Sequence, residues 1–236
     1  MKENTKKLVE AFGFLKLDEA QLLMDTADMM LAGSVVVNVG AGVGTSALAI
    51  LEQRPDLAPT FYTVDIRDDD NPFGSLIGEQ HAFQNAKMER LLPVQIKGDS
   101  SSVGKAWDKG EIDFLIIDAD HTRAGLMKDI RAWLPHLSVG GYVAFHDYTF
   151  PKWPDVYEVI QETMLRDINY EAVAFKGTMV LFKKLAPRPI IVEENELSAS
   201  IATEQTEEET KTEAVAEKKP AKRKKSSKTI DKPSGE

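Results

Sequence analysis

Asn38-Val-Gly40-Ala-Gly42-Val-Gly44 ends the apolar run Ser34-Val-Val-Val37 and opens the helix-compatible run Thr45-Ser-Ala-Leu-Ala-Ile-Leu51. A buried strand that passes through alternating glycines into a helix is compatible with few folds. The glycines let the backbone turn tightly, and they let a ligand approach the amides at the helix N-terminus, where the dipole and free N–H groups favour an anionic group. This turn therefore predicts the first strand–turn–helix unit of a doubly wound α/β sheet with a nucleotide-type cofactor in its crevice. The spacing also discriminates. A dinucleotide fingerprint needs Gly-x-Gly-x-x-Gly, whereas here the third glycine arrives one residue early and Thr45 follows it.

A second strand, Phe61-Tyr-Thr-Val-Asp65-Ile66, ends in a carboxylate about 20 residues further on, the distance at which such a sheet holds a cofactor ribose. Asp65 can accept hydrogen bonds from both ribose hydroxyls. The 42% hydrophobic content of the 236-residue chain is enough for one domain with a substantial core. There is no cysteine, which excludes disulfides, thiolate zinc ligation and a cysteine nucleophile. The N-terminus lacks a secretory apolar core and no run approaches the roughly 20 residues that span a bilayer, so a soluble, cytoplasmic protein is expected. A net charge of -9 argues against a nucleic-acid backbone as the main ligand of the folded part.

Residues 1–33 predict an N-terminal helical extension of two amphipathic helices broken near Gly13. From residue 34, strands at 34–39, 61–66, 93–98, 113–118 and 142–147 alternate with helices at 45–53, 78–91, 122–136 and 155–167. Alternation of this kind predicts a parallel sheet covered on both faces. The segments Tyr170–Phe175 and Thr178–Lys183, joined by Lys176-Gly177, are too close for a crossover helix and predict an antiparallel hairpin. The expected fold is thus α/β, with a doubly wound, mostly parallel seven-stranded sheet and a C-terminal antiparallel hairpin over residues 34–184. Residues 185–236 turn to Pro, Glu, Thr, Lys and Ser, with a basic block Lys218–Lys225, and predict a disordered charged tail suited at most to an acidic partner or nucleic acid.

Strand four ends in Asp118-Ala-Asp120-His121 and strand five in His146-Asp147-Tyr148, so two adjacent apolar strands deliver ionisable groups to one crevice. Taken with Asn38–Gly44, Asp65, Gly98-Asp99-Ser100 and Gly140–Asp147, this pattern resembles class I S-adenosylmethionine (SAM)-dependent methyltransferases. Within them it is similar to small O-methyltransferases of the catechol and caffeoyl-CoA type and to bacterial relatives acting on sugars and natural products. The resemblance implies that Asn38, Gly40, Gly42 and Gly44 hold the methionine part of SAM, Asp65 the ribose, and Asp99 and Ser100 the adenine edge. It also places Asp118 beside SAM as the first ligand of Mg or Mn, with His146 and Asp147 as the other two. His146 and Asn38 both stand where the relatives usually carry carboxylates.

A divalent cation would lower the pKa of an acceptor hydroxyl and fix its position for in-line attack on the sulfonium methyl. Without a metal, His146 or Asp120 is the expected general base, and His121 is either part of the site or a structural partner. Tyr148, Phe150 and Trp153 are expected either to wall a pocket for a small-molecule acceptor or to pack in the core. Trp107 and Trp133 are expected in the core, and Asp68-Asp69-Asp70 in a solvated loop. An NAD-linked oxidoreductase conflicts with the glycine spacing. An amino-methyltransferase acting on nucleotides would need an Asn/Asp-Pro-Pro-aromatic motif after strand four, and Asn71-Pro72-Phe73 lies after strand two instead. A non-catalytic SAM-binding module stays open through Asn38 and His146.

Overall fold

The computed structural model describes residues 1–66 and 76–186. The tail expected from 185 onward lies outside the described residues from 187, as do Asp68-Asp69-Asp70 and Asn71-Pro72-Phe73. In chain order the elements are α1 (Glu3–Phe12), α2 (Leu17–Asp28), β1 (Val36–Val39), α3 (Thr45–Gln53), β2 (Phe61–Asp65), α4 (Leu76–Asn85) and β3 (Val94–Lys97). They continue with α5 (Ser100–Lys105), β4 (Ile112–Ile117), α6 (Arg123–Trp133), β5 (Leu137–Phe145), α7 (Pro154–Glu162), β6 (Tyr170–Lys176) and β7 (Met179–Lys184). The sheet order is β3-β2-β1-β4-β5-β7-β6. Strands β1 to β5 run parallel, and β7 pairs antiparallel with both β5 and β6.

The central strands are near-continuous apolar runs because both faces are covered. Val36 joins one core with Leu23, Leu48, Leu51, Phe61 and Phe83 of the α1–α4 side, while Val37 and Val39 join Trp133, Phe145, Val159 and Phe182 on the α5–α7 side. The two N-terminal helices belong to the first of these cores. Thr5 donates its amide and hydroxyl to Glu52 of α3, at 2.8 and 2.6 Å. Arg54 Nη1 donates to the Ala27 carbonyl in the last turn of α2 and to the Met30 carbonyl just beyond it, at 2.6 and 2.9 Å, where a cation complements the helix dipole. Residues 1–33 and 34–184 accordingly fall in one compact unit. Among the described residues no helix is long and apolar enough to cross a membrane.

Register sets the site. Val39 pairs with Ile117, and Ile117 with Phe145, so the next residues, Gly40, Asp118 and His146, emerge side by side at the carboxyl edge. Between β1 and β4 the strand order reverses direction, which is where a doubly wound sheet opens its crevice.

The structure departs from the sequence reading at four elements, the first being α4, which ends at Asn85 rather than at the expected 91. Strand β5 starts at Leu137, five residues before the expected 142, and Gly140-Gly141 lies within it rather than before it. A Cβ on Gly141 would meet Ser138 Oγ at 2.7 Å, and the β4–β5 register shifts between Ile112 and Phe114, so the glycine pair shapes an irregularity inside the strand. Helix α5 was not expected; Asp99 caps it by accepting from the Ser102 amide at 2.9 Å. Helix α7 ends at Glu162, short of the expected 167.

Candidate active site

One cavity of about 940 Å³ occupies the crevice. One side of it is bounded by Gly40, Gly42, Asp65, Asp99 and Ser100, which the sequence pointed to as a group. Gly40, at φ +86°, passes so close to β4 that a Cβ would lie 2.0 Å from the Asp118 carbonyl oxygen. The Gly42 amide donates to Asp65 Oδ2 at 2.9 Å, which ties the glycine turn to the end of β2. Asp99 accepts from the Ser102 hydroxyl and amide and from the Ser101 hydroxyl, and these bonds hold its carboxyl below the usual range. Ser100 donates to Asp129, whose carboxyl burial pushes up to about 6.

Two residues of the expected cofactor set stand off the cavity. Gly44, at φ +83°, precedes α3 and packs against Glu79. Asn38 shares the face of Val36, is 1% exposed, and has no hydrogen-bond partner for either side-chain polar atom.

The other end of the cavity gathers ionisable groups from three parts of the chain. Asp118 leaves β4, His146 and Asp147 leave β5, and Glu19 arrives from the first turn of α2. His146, 7% exposed, has both ring nitrogens engaged: Nδ1 faces Asp118 Oδ1 at 3.2 Å and Nε2 faces Glu19 Oε2 at 3.3 Å. Burial opposes its charge, but Asp118, Glu19 and Asp147 push its pKa up to about 11. The sequence reading makes His146 a metal ligand or general base; its two ring nitrogens face Asp118 and Glu19.

The imidazole that faces the shared space is His121. Its Nε2 lies 3.1 Å from Asp147 Oδ2 and 3.3 Å from Asp118 Oδ1, ion-pair distances at which neither carboxylate is aligned for a hydrogen bond. Burial lowers its pKa, yet the two carboxylates outweigh it and raise it to about 9. Burial alone would raise the Asp118 carboxyl; the two imidazoles instead hold it below the usual range. Asp118, His121 and Asp147 each offer a ligand atom, all within 4.8 Å of one another. Asp147 is held at φ +56°, a left-handed conformation uncommon outside glycine that here turns the chain sharply after β5. Asp120 also lines the cavity; it accepts from the Thr122 amide at 2.9 Å and packs on Gly125 at the start of α6.

Trp153 stacks on His121, with centroids 5.0 Å apart and planes 23° apart, and Lys152 Nζ sits 4.7 Å over the Trp153 ring. Trp153 and Phe150 thus wall the cavity. Tyr148 is buried against Tyr157 and Phe175, and Trp107 and Trp133 pack together at 5.4 Å.

Glu19 escaped sequence reasoning because an acidic residue in a first helical turn ordinarily reads as a dipole partner facing water. The available signal was its place beside Ala20 and Leu23 on the apolar side of α2. Although burial opposes its charge, His146, Thr178 and Lys16 hold its carboxyl down at about 2. A folded-state pKa below the ordinary 4.5 contributes stability that is fully present above that value and lost as pH falls toward 2. The thermal midpoint is therefore expected to drop between pH 5 and 2, with a shallower drop in Glu19→Gln. Parallel acid limbs in thermal scans of the two proteins would contradict this.

Residues 37–148, which run from β1 past the end of β5, match a family of methyltransferase domains. Solved structures share the fold at low identity. The SAH-bound Podospora anserina methyltransferase PaMTH1 aligns at TM-score 0.59 and 13% identity, over 79% of this chain and 89% of that one. The O-methyltransferase NovP aligns at 0.58 and 15%, over 72% and 81%. MycE, a methyltransferase of the mycinamycin biosynthetic pathway determined with Mg and SAH, aligns at 0.52 and 17%, over 80% of this chain and 58% of that one. With the family match lying across the glycine turn and both acidic strand ends, residues 37–148 carry a methyltransferase domain on a Rossmann-like sheet.

Proposed function

We propose that this domain transfers the SAM methyl group to a hydroxyl oxygen of a small acceptor, assisted by a divalent cation held by Asp118, His121 and Asp147. The observation that carries the reading is the convergence of those three donors beside the glycine turn, with His121 Nε2 buried and unaligned to any hydrogen-bond acceptor. Two carboxylate oxygens and one imidazole suit Mg or Mn. The NovP and MycE likenesses support the oxygen acceptor and the cation respectively.

In this reading Gly40, Gly42, Asp65, Asp99 and Ser100 hold SAM with its methyl toward Asp118. Phe150 and Trp153 exclude water from the acceptor side and orient a flat or ring-shaped molecule. The acceptor oxygen attacks the methyl carbon in line, the C–S bond breaks with its electron pair going to sulfur, and SAH leaves. The hydroxyl proton passes to one of the Asp147 and Asp118 carboxylates. The cation, when bound, acidifies and positions that hydroxyl.

Calorimetry on the full chain tests the cofactor half. SAM and SAH are expected to bind and NAD to give no heat, with Asp65→Ala weakening SAM by about 1.5 to 3 kcal/mol, the scale of lost charge-assisted hydrogen bonds. NAD heat without SAM heat would overturn the assignment. Radiolabelled methyl transfer to a panel of hydroxylated acceptors, with and without Mn, tests the other half. SAM binding with no transfer to any acceptor would favour a non-catalytic SAM-binding module.

A further inference from the structure

Glu19 is fully buried yet belongs to neither half of the Rossmann-like sheet. Its Oε1 accepts from the Thr178 amide at 2.6 Å and the Thr178 hydroxyl at 2.8 Å, while its Oε2 accepts from the Lys16 amide at 2.7 Å and meets His146 Nε2 at 3.3 Å. One carboxylate thus joins the start of α2, the end of β5 and the β6–β7 turn. That turn is shaped around it: Gly177 sits at φ +56°, and a Cβ there would fall 2.3 Å from Glu19 Oε1. The segment it anchors, Gly13 to Lys16, lines the cavity.

We infer that Glu19 is a positioning residue of the reaction centre: by fixing His146 at Nε2 it aims Nδ1 at Asp118 and Asp147, and so sets the two carboxylates that face His121. The inference rests on the methyltransferase reading only for its kinetic consequence. The geometry stands without it. Packing alone would be served as well by a leucine or methionine at this depth, and burying a carboxylate is unfavourable unless its partners make specific use of it. Here the chain of contacts runs without a break from Glu19 through His146 to Asp118 and Asp147, and on to His121 and the stacked Trp153. Thr178 adds a parallel branch, its hydroxyl lying 3.4 Å from Asp147 Oδ1. The N-terminal helices thereby become part of the site, since displacing α2 would carry Glu19 away from His146.

The test is NMR of the uniformly 15N-labelled full chain bound to SAH, with the His146 ring signals assigned by their loss in His146→Gln. In the parent, the His146 ring N–H that faces Glu19 is expected in slow exchange with water. In Glu19→Gln, the Nε2 proton is expected to exchange at least tenfold faster and the His121 ring signals to shift. Where Glu19→Gln fails to fold, Thr178→Val, which leaves the carboxylate on His146 but removes the hydroxyl that holds it, is expected to move the same signals by less. On an acceptor that the parent methylates, Glu19→Gln is expected to lower kcat at least tenfold with KM for SAM within twofold. His146 and His121 signals unmoved in the folded variant, or unmoved in Thr178→Val where Glu19→Gln does not fold, would overturn the inference. A parent that methylates nothing would instead count against the O-methyltransferase reading, and the ring-proton exchange rates would still decide the role of Glu19.

Discussion

EDTA is expected to lower methyl transfer by roughly 100- to 1000-fold while SAM stays bound, with Mn or Mg restoring it. Lewis-acid activation is worth several kcal/mol, and each 1.36 kcal/mol is tenfold in rate. The same loss is expected for Asp147→Ala, because it removes one of the three converging ligand atoms. Asp147→Ala also changes the backbone, since Asp147 sits at φ +56° and alanine is disfavoured there. Asparagine tolerates that conformation, so Asp147→Asn isolates the charge: it should keep the parent's thermal midpoint and SAM affinity and still lose Mn affinity. His121→Gln and His146→Gln then separate the two imidazoles. Direct Mn titration should show the greater loss of affinity for His121→Gln, because His146 points both nitrogens at carboxylates already in the fold. Full methyl transfer by a demonstrably metal-free enzyme would remove the cation from the mechanism and leave Asp118 and Asp147 as proton acceptors.

The contrast between His121 and His146 shows where sequence reasoning stops. Strand ends were legible because register is a local consequence of apolar runs, and adjacent parallel strands must deliver Asp118 and His146 to one edge. Which groups His146 faces was not legible, because one of them, Glu19, lies 127 positions away. The glycine turn, Asp65 and the hairpin were legible for the same local reasons: positive φ, an apolar run ending in a carboxylate, and two strands too close for a crossover. Helix α5 was hidden in Ser100-Ser-Ser-Val-Gly-Lys105, a poor helix by propensity that forms because Asp99 caps it. The early start of β5 was hidden because a glycine pair ordinarily signals a turn, and only the shifted β4–β5 register shows it inside the strand.

Gly40→Ala is expected to lower folding stability by about 2 to 5 kcal/mol and to abolish SAM binding in what remains folded. Two effects combine. At φ +86° an alanine is strained by about 1 to 2 kcal/mol, whatever space surrounds it. The added Cβ would also lie 2.0 Å from the Asp118 carbonyl oxygen and 2.4 Å from its carbonyl carbon, backbone atoms of a central strand end that no side-chain rotation can move away. Relieving that overlap means prying β1 from β4, an overpacking effect on the scale of about 1 to 3 kcal/mol. Gly13→Ala supplies the comparison, because Gly13 is also left-handed, at φ +68°, with nothing within 4 Å of an added Cβ. It should show the conformational part alone, about 1 to 2 kcal/mol, with SAM affinity unchanged. Urea unfolding of both variants measures the difference directly. If Gly40→Ala came within 1 kcal/mol of Gly13→Ala and still bound SAM, the close approach of the glycine turn to Asp118 would be wrong. The placement of the cofactor's methyl group beside that carboxylate would fall with it.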